Sequence, residues 1–139
     1  MSTVFVVFGP VVDPKIDTFG ERLRRAFPRR VFVGSGTWIS AGVYDSTPVT
    51  IALARSPDVS VEAKEMAEEL ARNGAPRAVV EAVRAATVRF EIEWDIDRDP
   101  DPVVETADHV VEWAQELAAV SGGIPIVNGA LLTSADQLF

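Results

Sequence analysis

The ten residues from Val88 to Asp97 read VRFEIEWDID, so that apolar and charged side chains alternate without a break. Successive side chains of a β-strand point to opposite faces of the sheet, and no helix produces this alternation. The stretch therefore predicts a half-buried strand with one apolar face and one charged face. The apolar face consists of Val88, Phe90, Ile92, Trp94 and Ile96, and the charged face consists of Arg89, Glu91, Glu93, Asp95 and Asp97.

The composition of the chain is that of one globular domain. Its 139 residues are 47% hydrophobic and 24% charged, which is ordinary for a protein with a single core. We therefore expect one α+β domain over residues 1–139. The apolar run from Val4 to Phe8 ends at Gly9 and Pro10, too early for a signal peptide or a membrane span. We interpret this run as a strand and expect a cytoplasmic protein, in keeping with the absence of cysteine.

The net charge of −8 is distributed unevenly along the chain. Residues 1–89 contain twelve Lys or Arg and ten acids, a balance of +2, whereas residues 90–139 contain one Arg and eleven acids, a balance of −10. Because the sign of the field governs encounter, this asymmetry favours a cationic partner over a nucleic acid. A net charge of this size also serves solubility, which is the simpler interpretation.

The remaining segments predict further strands and helices. Residues 3–8 are apolar on both faces, which is typical of a strand in the middle of a sheet. Other strands are predicted at residues 31–33, 37–44, 49–54, 124–127 and 130–133, the last two joined by the hairpin turn Asn128-Gly129. Helices are predicted at residues 14–26, 61–72, 76–86, 102–120 and 134–138, with Asp13, Ser60 and Asp101 as N-caps of the first, second and fourth.

The order of these elements predicts the fold class. Its first six parts match the split βαβ arrangement, so we predict an α+β two-layer sandwich with a ferredoxin-like core, an added C-terminal helix and a short hairpin. In that arrangement the strand at 88–97 lies beside the strand at 3–8, and its acidic residues face away from the main helices. That face needs a cover, for which the late helix, a second subunit and a partner protein are the candidates.

Two segments suggest phosphate binding at first inspection. The sequence Gly34-Ser35-Gly36 lacks the third glycine of the dinucleotide fingerprint, because Ile39 stands at that position, and the residues that follow prefer a strand to the required helix. The arginines between Arg22 and Arg30 lie where a helix ends, and cations there offset the exposed carbonyl groups of its last turn. We reject the nucleotide loop and favour helix-end stabilisation over phosphate binding.

Three aspartates after the central strand suggest a metal site. Asp97, Asp99 and Asp101 alternate like the first ligands of a calcium loop. Pro102, however, stands where that loop needs glycine, and a strand leads into the segment instead of a helix. A weak divalent-ion site remains open as an alternative, while helix capping by Asp101 is the preferred interpretation.

His109 is the only histidine in the chain. Glu105 and Glu112 lie within helical reach of it, an arrangement that could serve a pH switch or a general acid. An exposed surface histidine is the preferred interpretation, because no nucleophile or second imidazole is visible beside it.

The acidic C-terminal half indicates a function in binding and not in catalysis. We predict a non-enzymatic protein that neutralises a basic partner enzyme, as an immunity protein or antitoxin does, with Trp38, Trp94 or Trp113 as an anchor if exposed. A homodimer is left open, and we predict no catalytic residue, no cofactor, no nucleic-acid partner and no membrane contact. The predicted partner-binding residues are Glu91, Glu93, Asp95, Asp97, Asp99, Glu105, Asp108, His109, Glu112 and Glu116.

The alternative is a small carboxylate-based enzyme or a ligand- or metal-binding domain. It would use His109 with its neighbouring glutamates, or the aspartates from Asp95 to Asp101. The sequence contains no Walker A loop, no nucleophile elbow, no His-Glu-x-x-His pair and no cysteine. An RNA-binding sheet is disfavoured, because Glu91 and Glu93 would repel phosphates beside Phe5.

Overall fold

The computed structural model describes residues 3–8, 16–26, 31–35, 38–42, 49–95 and 103–139. The described strands are β1 (Val4–Phe8), β2 (Val31–Ser35), β3 (Trp38–Gly42), β4 (Val49–Ala54), β5 (Val88–Trp94), β6 (Ile124–Val127) and β7 (Ala130–Leu131). The described α-helices are α1 (Ile16–Ala26), α2 (Pro57–Arg72), α3 (Arg77–Arg84) and α4 (Val103–Ser121), and Ala135–Leu138 form a 3-10 turn. Among these helices, none combines the length and apolarity that crossing a bilayer requires.

The strands form one antiparallel sheet in the order β2-β3-β4-β5-β1-β6-β7, so the α+β class is confirmed. The predicted pairing of β5 with β1 is also confirmed. The ferredoxin-like order is not confirmed, because in that order β1 would separate β5 from β4, whereas β5 pairs with both. The alternation of β5 determines which face each side chain occupies, but it carries no information about which strands lie at its two edges.

Helices lie on both faces of the sheet. One hydrophobic cluster joins Val6 and Phe90 to residues of α1 and α4. A second cluster joins Val7 and Ile126, which point to the opposite face, to residues of α2 and α3. The two-layer arrangement is therefore not confirmed. On the charged face of β5, α2 covers Arg89, whereas Glu93 and Asp95 remain exposed. The late helix α4, one of the expected covers, packs on the other side.

The described part of the apolar face of β5 is closed as predicted, and Ile96 lies outside the described residues. Val88, Phe90, Ile92 and Trp94 are all buried, Phe90 completely. They pack in one cluster with the inner stripe of α4, namely Ala107, Val110, Val111, Trp113, Ala114 and Leu117. Because Trp94 and Trp113 are 2% and 0% exposed, neither is an exposed anchor for a partner. The side chain of Trp38 lies outside the described part of the chain.

Two local predictions have opposite outcomes. The helix that Ser60 was expected to cap begins earlier, at Pro57, with Ser56 as its N-cap residue, because proline at the first helical position has a φ already suited to a helix. The hairpin turn is confirmed, since Asn128 and Gly129 have φ angles of 50° and 72°, as a two-residue type I′ turn requires.

Candidate functional site

The charged face of β5 lies in a sheet surface whose rows differ in composition. Across the strands, the register aligns Ile126, Phe5, Glu91 and Ala52 in one row. Residues aligned in this way point to the same face of the sheet and contact one another laterally. The row therefore brings an apolar pair, Ile126 and Phe5, directly beside the acidic side of β5.

The neighbouring row is closed by α2 and contains a buried arginine. Arg89, predicted on the exposed face, is only 8% exposed. Its guanidinium pairs through Nη1 with Glu62 of α2, and its Nη2 lies 2.7 Å from Oε1 of Glu91. The same group lies over the ring of Phe5, 4.7 Å from the centroid. A buried charge is stable only when it is paired, and these three partners together meet that need.

The environment of Arg89 keeps it charged. Burial alone would lower the pKa of the guanidinium, but hydrogen bonds from it to Glu62 and Glu91 outweigh burial and raise the pKa above its ordinary value. The charge of Glu91 is thus compensated within the protein. Glu91 was predicted to bind a cationic partner, and this pairing removes it from the set of uncompensated acids.

Beyond Phe5 the same face opens into a groove of about 600 Å³ between α2 and the sheet. Volumes of this size are typical of ligand sites. We call it the α2 groove; its lining residues are Thr3, Phe5, Met66, Glu69, Ile126, Asn128 and Gly129. Phe5 and Met66 are partly exposed, and among the described lining residues Glu69 alone has a formal charge. The groove therefore combines two partly exposed apolar side chains with polar groups and one carboxylate.

The end of the α2 groove is held in place by contacts between α2 and the hairpin turn. The side-chain amide of Asn73 donates a hydrogen bond of 2.9 Å to the carbonyl oxygen of Gly129. The carboxylate of Glu69 lies across the same turn, since a Cβ atom added at Gly129 would collide with it. The position of Glu69 thus depends on the absence of a side chain at Gly129.

Exposed acids continue along β5 from this groove. Glu93 pairs in register with Thr50, and both are exposed. Continuing the register of β1 and β5 by one residue places Thr3, which lines the groove, beside Glu93. Asp95 follows directly and is also exposed. Among the described residues, neither acid forms an ion pair.

The predicted acids of α4 form a separate surface on the other side of the sheet. We call this the α4 acidic surface and define it by Asp108, His109, Glu112 and Glu116. Within this surface, the Oε2 atom of Glu116 lies 2.9 Å from Nη2 of Arg22 on α1. One negative charge of the α4 acidic surface is therefore compensated. The described members of the predicted partner-binding set therefore lie on two opposite faces of the sheet.

The contacts of His109 include two other residues of α4. Its ring stacks on that of Trp113, with centroids 5.8 Å apart, and its Nδ1 atom lies 3.6 Å from Oε2 of Glu112. In the described part of the chain, no group of three or more histidines, aspartates and glutamates is placed to hold a metal ion. His109 also lies on the opposite face of the sheet from the α2 groove, so it cannot act on a molecule bound there.

Several predictions concern positions outside the described residues. Asp97, Asp99 and Asp101 are among them, and so are the arginines at the end of the Arg22–Arg30 cluster. Glu105 lies in α4, but its side chain belongs to the part that is not described.

Sequence reasoning missed the α2 groove itself. Met66 was assigned to the inner stripe of a helix, Glu69 to an ordinary outer face, and Asn128-Gly129 to a turn. Each assignment is correct locally, yet the site forms only because α2 packs against the terminal hairpin. One indirect indication of the groove was available: apolar residues were expected beside the acidic face of β5, and such a surface needs a cover.

The chain matches no protein-family model, no curated protein and no solved structure. A function for it is therefore argued from the geometry of the site.

Proposed function

We propose that this chain is a non-enzymatic inhibitory protein, of the immunity-protein or antitoxin type, that binds a basic partner protein in the cytoplasm at its acidic sheet face. The observation that supports this proposal most strongly is the juxtaposition of partly exposed apolar side chains with exposed acids. Phe5 and Met66 lie partly exposed in the α2 groove, and Glu69 lies exposed in its lining. Glu93 and Asp95 lie exposed farther along the chain of β5.

Such a surface suits a basic protein for two physical reasons. Exposed carboxylates attract a cationic partner at long range and accelerate encounter. Partly exposed apolar side chains then supply contact area that can be desolvated in the complex. A nucleic acid is disfavoured by the same charges, because phosphates would be repelled.

The α4 acidic surface is a weaker candidate for the same role. Arg22 already pairs with Glu116 there, and Trp113 beneath it is fully buried. An interface needs apolar anchors as well as charge, and this surface offers none among its four defining residues. Because Glu116 is paired with Arg22 of its own chain, it attracts an arginine of a second copy less strongly.

The alternative of a small carboxylate enzyme receives less support. Its candidate His109 lies across the sheet from the groove. A small cationic ligand remains a second candidate, because the groove volume of about 600 Å³ suits one. Thermal melting with a panel of metabolites tests it, since a ligand that binds the native state raises Tm.

The products of neighbouring genes are the first partners to test. We would measure the Kd of each by calorimetry at low and high salt, for the wild type and for the Glu93→Gln/Asp95→Asn variant. The Asp108→Asn/Glu112→Gln variant is the matched control, because it removes the same charge from the opposite face. The first pair should weaken binding by about tenfold, since each exposed ion pair is worth up to about 1 kcal/mol.

The control pair should leave the Kd within about twofold of the wild-type value, because its carboxylates lie outside the proposed interface. The proposal is contradicted if no basic neighbouring product binds, if binding is insensitive to salt, or if the two variants weaken it equally.

A further inference from the structure

We propose that the α2 groove receives one lysine side chain of the partner protein, with its aliphatic stem across Phe5 and Met66 and its ammonium at Glu69. This inference rests on the proposed function and names the contact that would decide it. A lysine side chain is amphipathic, because a four-carbon stem carries a compact charge at its end.

The interior of the α2 groove matches the stem. Phe5 and Met66 are partly exposed and can lose further apolar area to a ligand, whereas Ile126 is already buried. The volume of about 600 Å³ exceeds what one side chain fills, so the residues that flank the lysine can enter the mouth. An apolar stem therefore finds area there that an acidic side chain of similar length could not use without placing its charge beside Glu69.

The margin of the groove matches the ammonium. Glu69 is the charged residue of the lining, and its carboxylate is placed across the turn at Gly129. The hydrogen bond from Asn73 to the carbonyl oxygen of Gly129 holds this hairpin turn against α2. A pre-positioned acceptor costs less entropy to use than one that must be ordered on binding.

The surroundings of Phe5 favour lysine over arginine. A guanidinium gains most from stacking on an aromatic face or from a bidentate carboxylate. The guanidinium of Arg89 already lies over one face of the Phe5 ring, 4.7 Å from its centroid, so that face is occupied. A compact ammonium needs only the single carboxylate of Glu69.

The test uses Met66 as a reporter. The chain contains two methionines, Met1 and Met66. A ¹³C-methyl-methionine spectrum therefore has two signals, of which the Met66 signal reports on the groove. The full-length protein is titrated with a blocked Gly-Lys-Gly peptide, and in parallel with the same peptide carrying acetyl-lysine, norleucine or arginine. The lysine peptide should shift the Met66 signal saturably, and the two neutral peptides should bind at least about threefold more weakly, as expected for the loss of one exposed ion pair. The arginine peptide should also bind more weakly, because its guanidinium gains less at this site.

Variants separate the acceptor from general charge. Glu69→Gln should weaken the lysine peptide by about threefold, whereas Glu68→Gln, an exposed position next to it on α2, should not change its Kd. The inference is overturned if Met66 does not shift, if acetyl-lysine or arginine binds as well as lysine, or if the two variants behave alike.

Failure of this inference is distinguishable from failure of the proposed function. If a basic partner binds with the dependence on Glu93 and Asp95 described above, but the lysine peptide does not shift Met66, the proposed function stands and the lysine contact does not. If neither binds, both are wrong.

Discussion

The two faces of strand β5 are built from alternate residues of one segment, yet they are closed in different ways. On the α4 side, Phe90, Ile92 and Trp94 are buried in an apolar cluster. On the α2 side, Arg89 is buried but paired, and Glu93 is exposed. The comparison shows that burial by apolar contact completes a face, whereas burial of a charge requires partners and leaves the acids beyond them open to solvent.

The largest expected effect is on the closed face. Phe90→Ala should lower the free energy of unfolding by about 3 to 5 kcal/mol, because it removes a fully buried aromatic side chain and leaves a cavity. Urea denaturation measures this loss. Glu93→Ala, on the open face of the same strand, should change stability by less than about 0.5 kcal/mol; equal losses for the two variants would show that the faces do not differ.

Arg89→Met should have the next largest effect. Truncating one member of a buried ion pair costs about 3 to 5 kcal/mol, but the side chains of Glu62 and Glu91 are 43% and 25% exposed and can regain water. We therefore expect a loss of about 2 to 3 kcal/mol. Adding Glu91→Gln to this variant should recover part of the loss; a further loss would mean that Glu91 has another stabilising partner.

The contribution of Arg89 should not vary with pH near neutrality. Its pKa is raised in the folded protein, so its stabilising effect is fully present below the unfolded pKa and is lost only as pH rises through the folded pKa. The difference in unfolding free energy between the wild type and Arg89→Met should therefore be constant from neutral to mildly alkaline pH. A difference that shrinks in this window would show that Arg89 loses its proton there.

Substitution of Gly129 tests the wall of the open face. Gly129→Ala should cost about 1 to 2 kcal/mol, because its φ of 72° is strained for a residue with a side chain. Gly74→Ala, with a φ of 82° and nothing within 4 Å of the added carbon, is the matched control for strain. Only Gly129→Ala should also weaken lysine-peptide binding, since it displaces Glu69; an equal effect of both variants would exclude Glu69 from the contact.

The smallest effect is expected at the ion pair between Arg22 and Glu116. Both side chains are nearly half exposed, at 48% and 42%, and exposed pairs contribute about 0.2 to 1 kcal/mol. A double-mutant cycle with Arg22→Ala and Glu116→Ala, measured by urea denaturation, should give a coupling energy in that range. A larger coupling energy would indicate that solvent screens this ion pair less than the exposure of its two side chains suggests.

The elements that sequence predicted well are those in which one segment carries the whole signal. The alternation from Val88 to Trp94 identified a strand and the residues of its buried face, and Asn128-Gly129 identified the hairpin turn. Both depend on residues adjacent in the chain, so local geometry is sufficient.

Features that depend on distant packing were not predicted. Nothing in the alternation of β5 shows that Arg89 is covered by α2 while Glu93 is not, because both occupy the same face of the strand. The α2 groove likewise needs Glu69 and Gly129, which are far apart in sequence, to meet. The strand order was missed for the same reason, since pairing partners are chosen by the packing of whole elements.

The most direct test of the difference between the faces is an amide NMR titration of the wild-type protein with a lysine-rich peptide, which reads both sides of the sheet in one experiment. We predict saturable shifts at Phe5, Glu93 and Gly129, and none above the noise at Asp108 and Glu112. Shifts concentrated at Asp108 and Glu112 would contradict the account, because the peptide would then bind the α4 acidic surface and not the sheet face that contains Glu93.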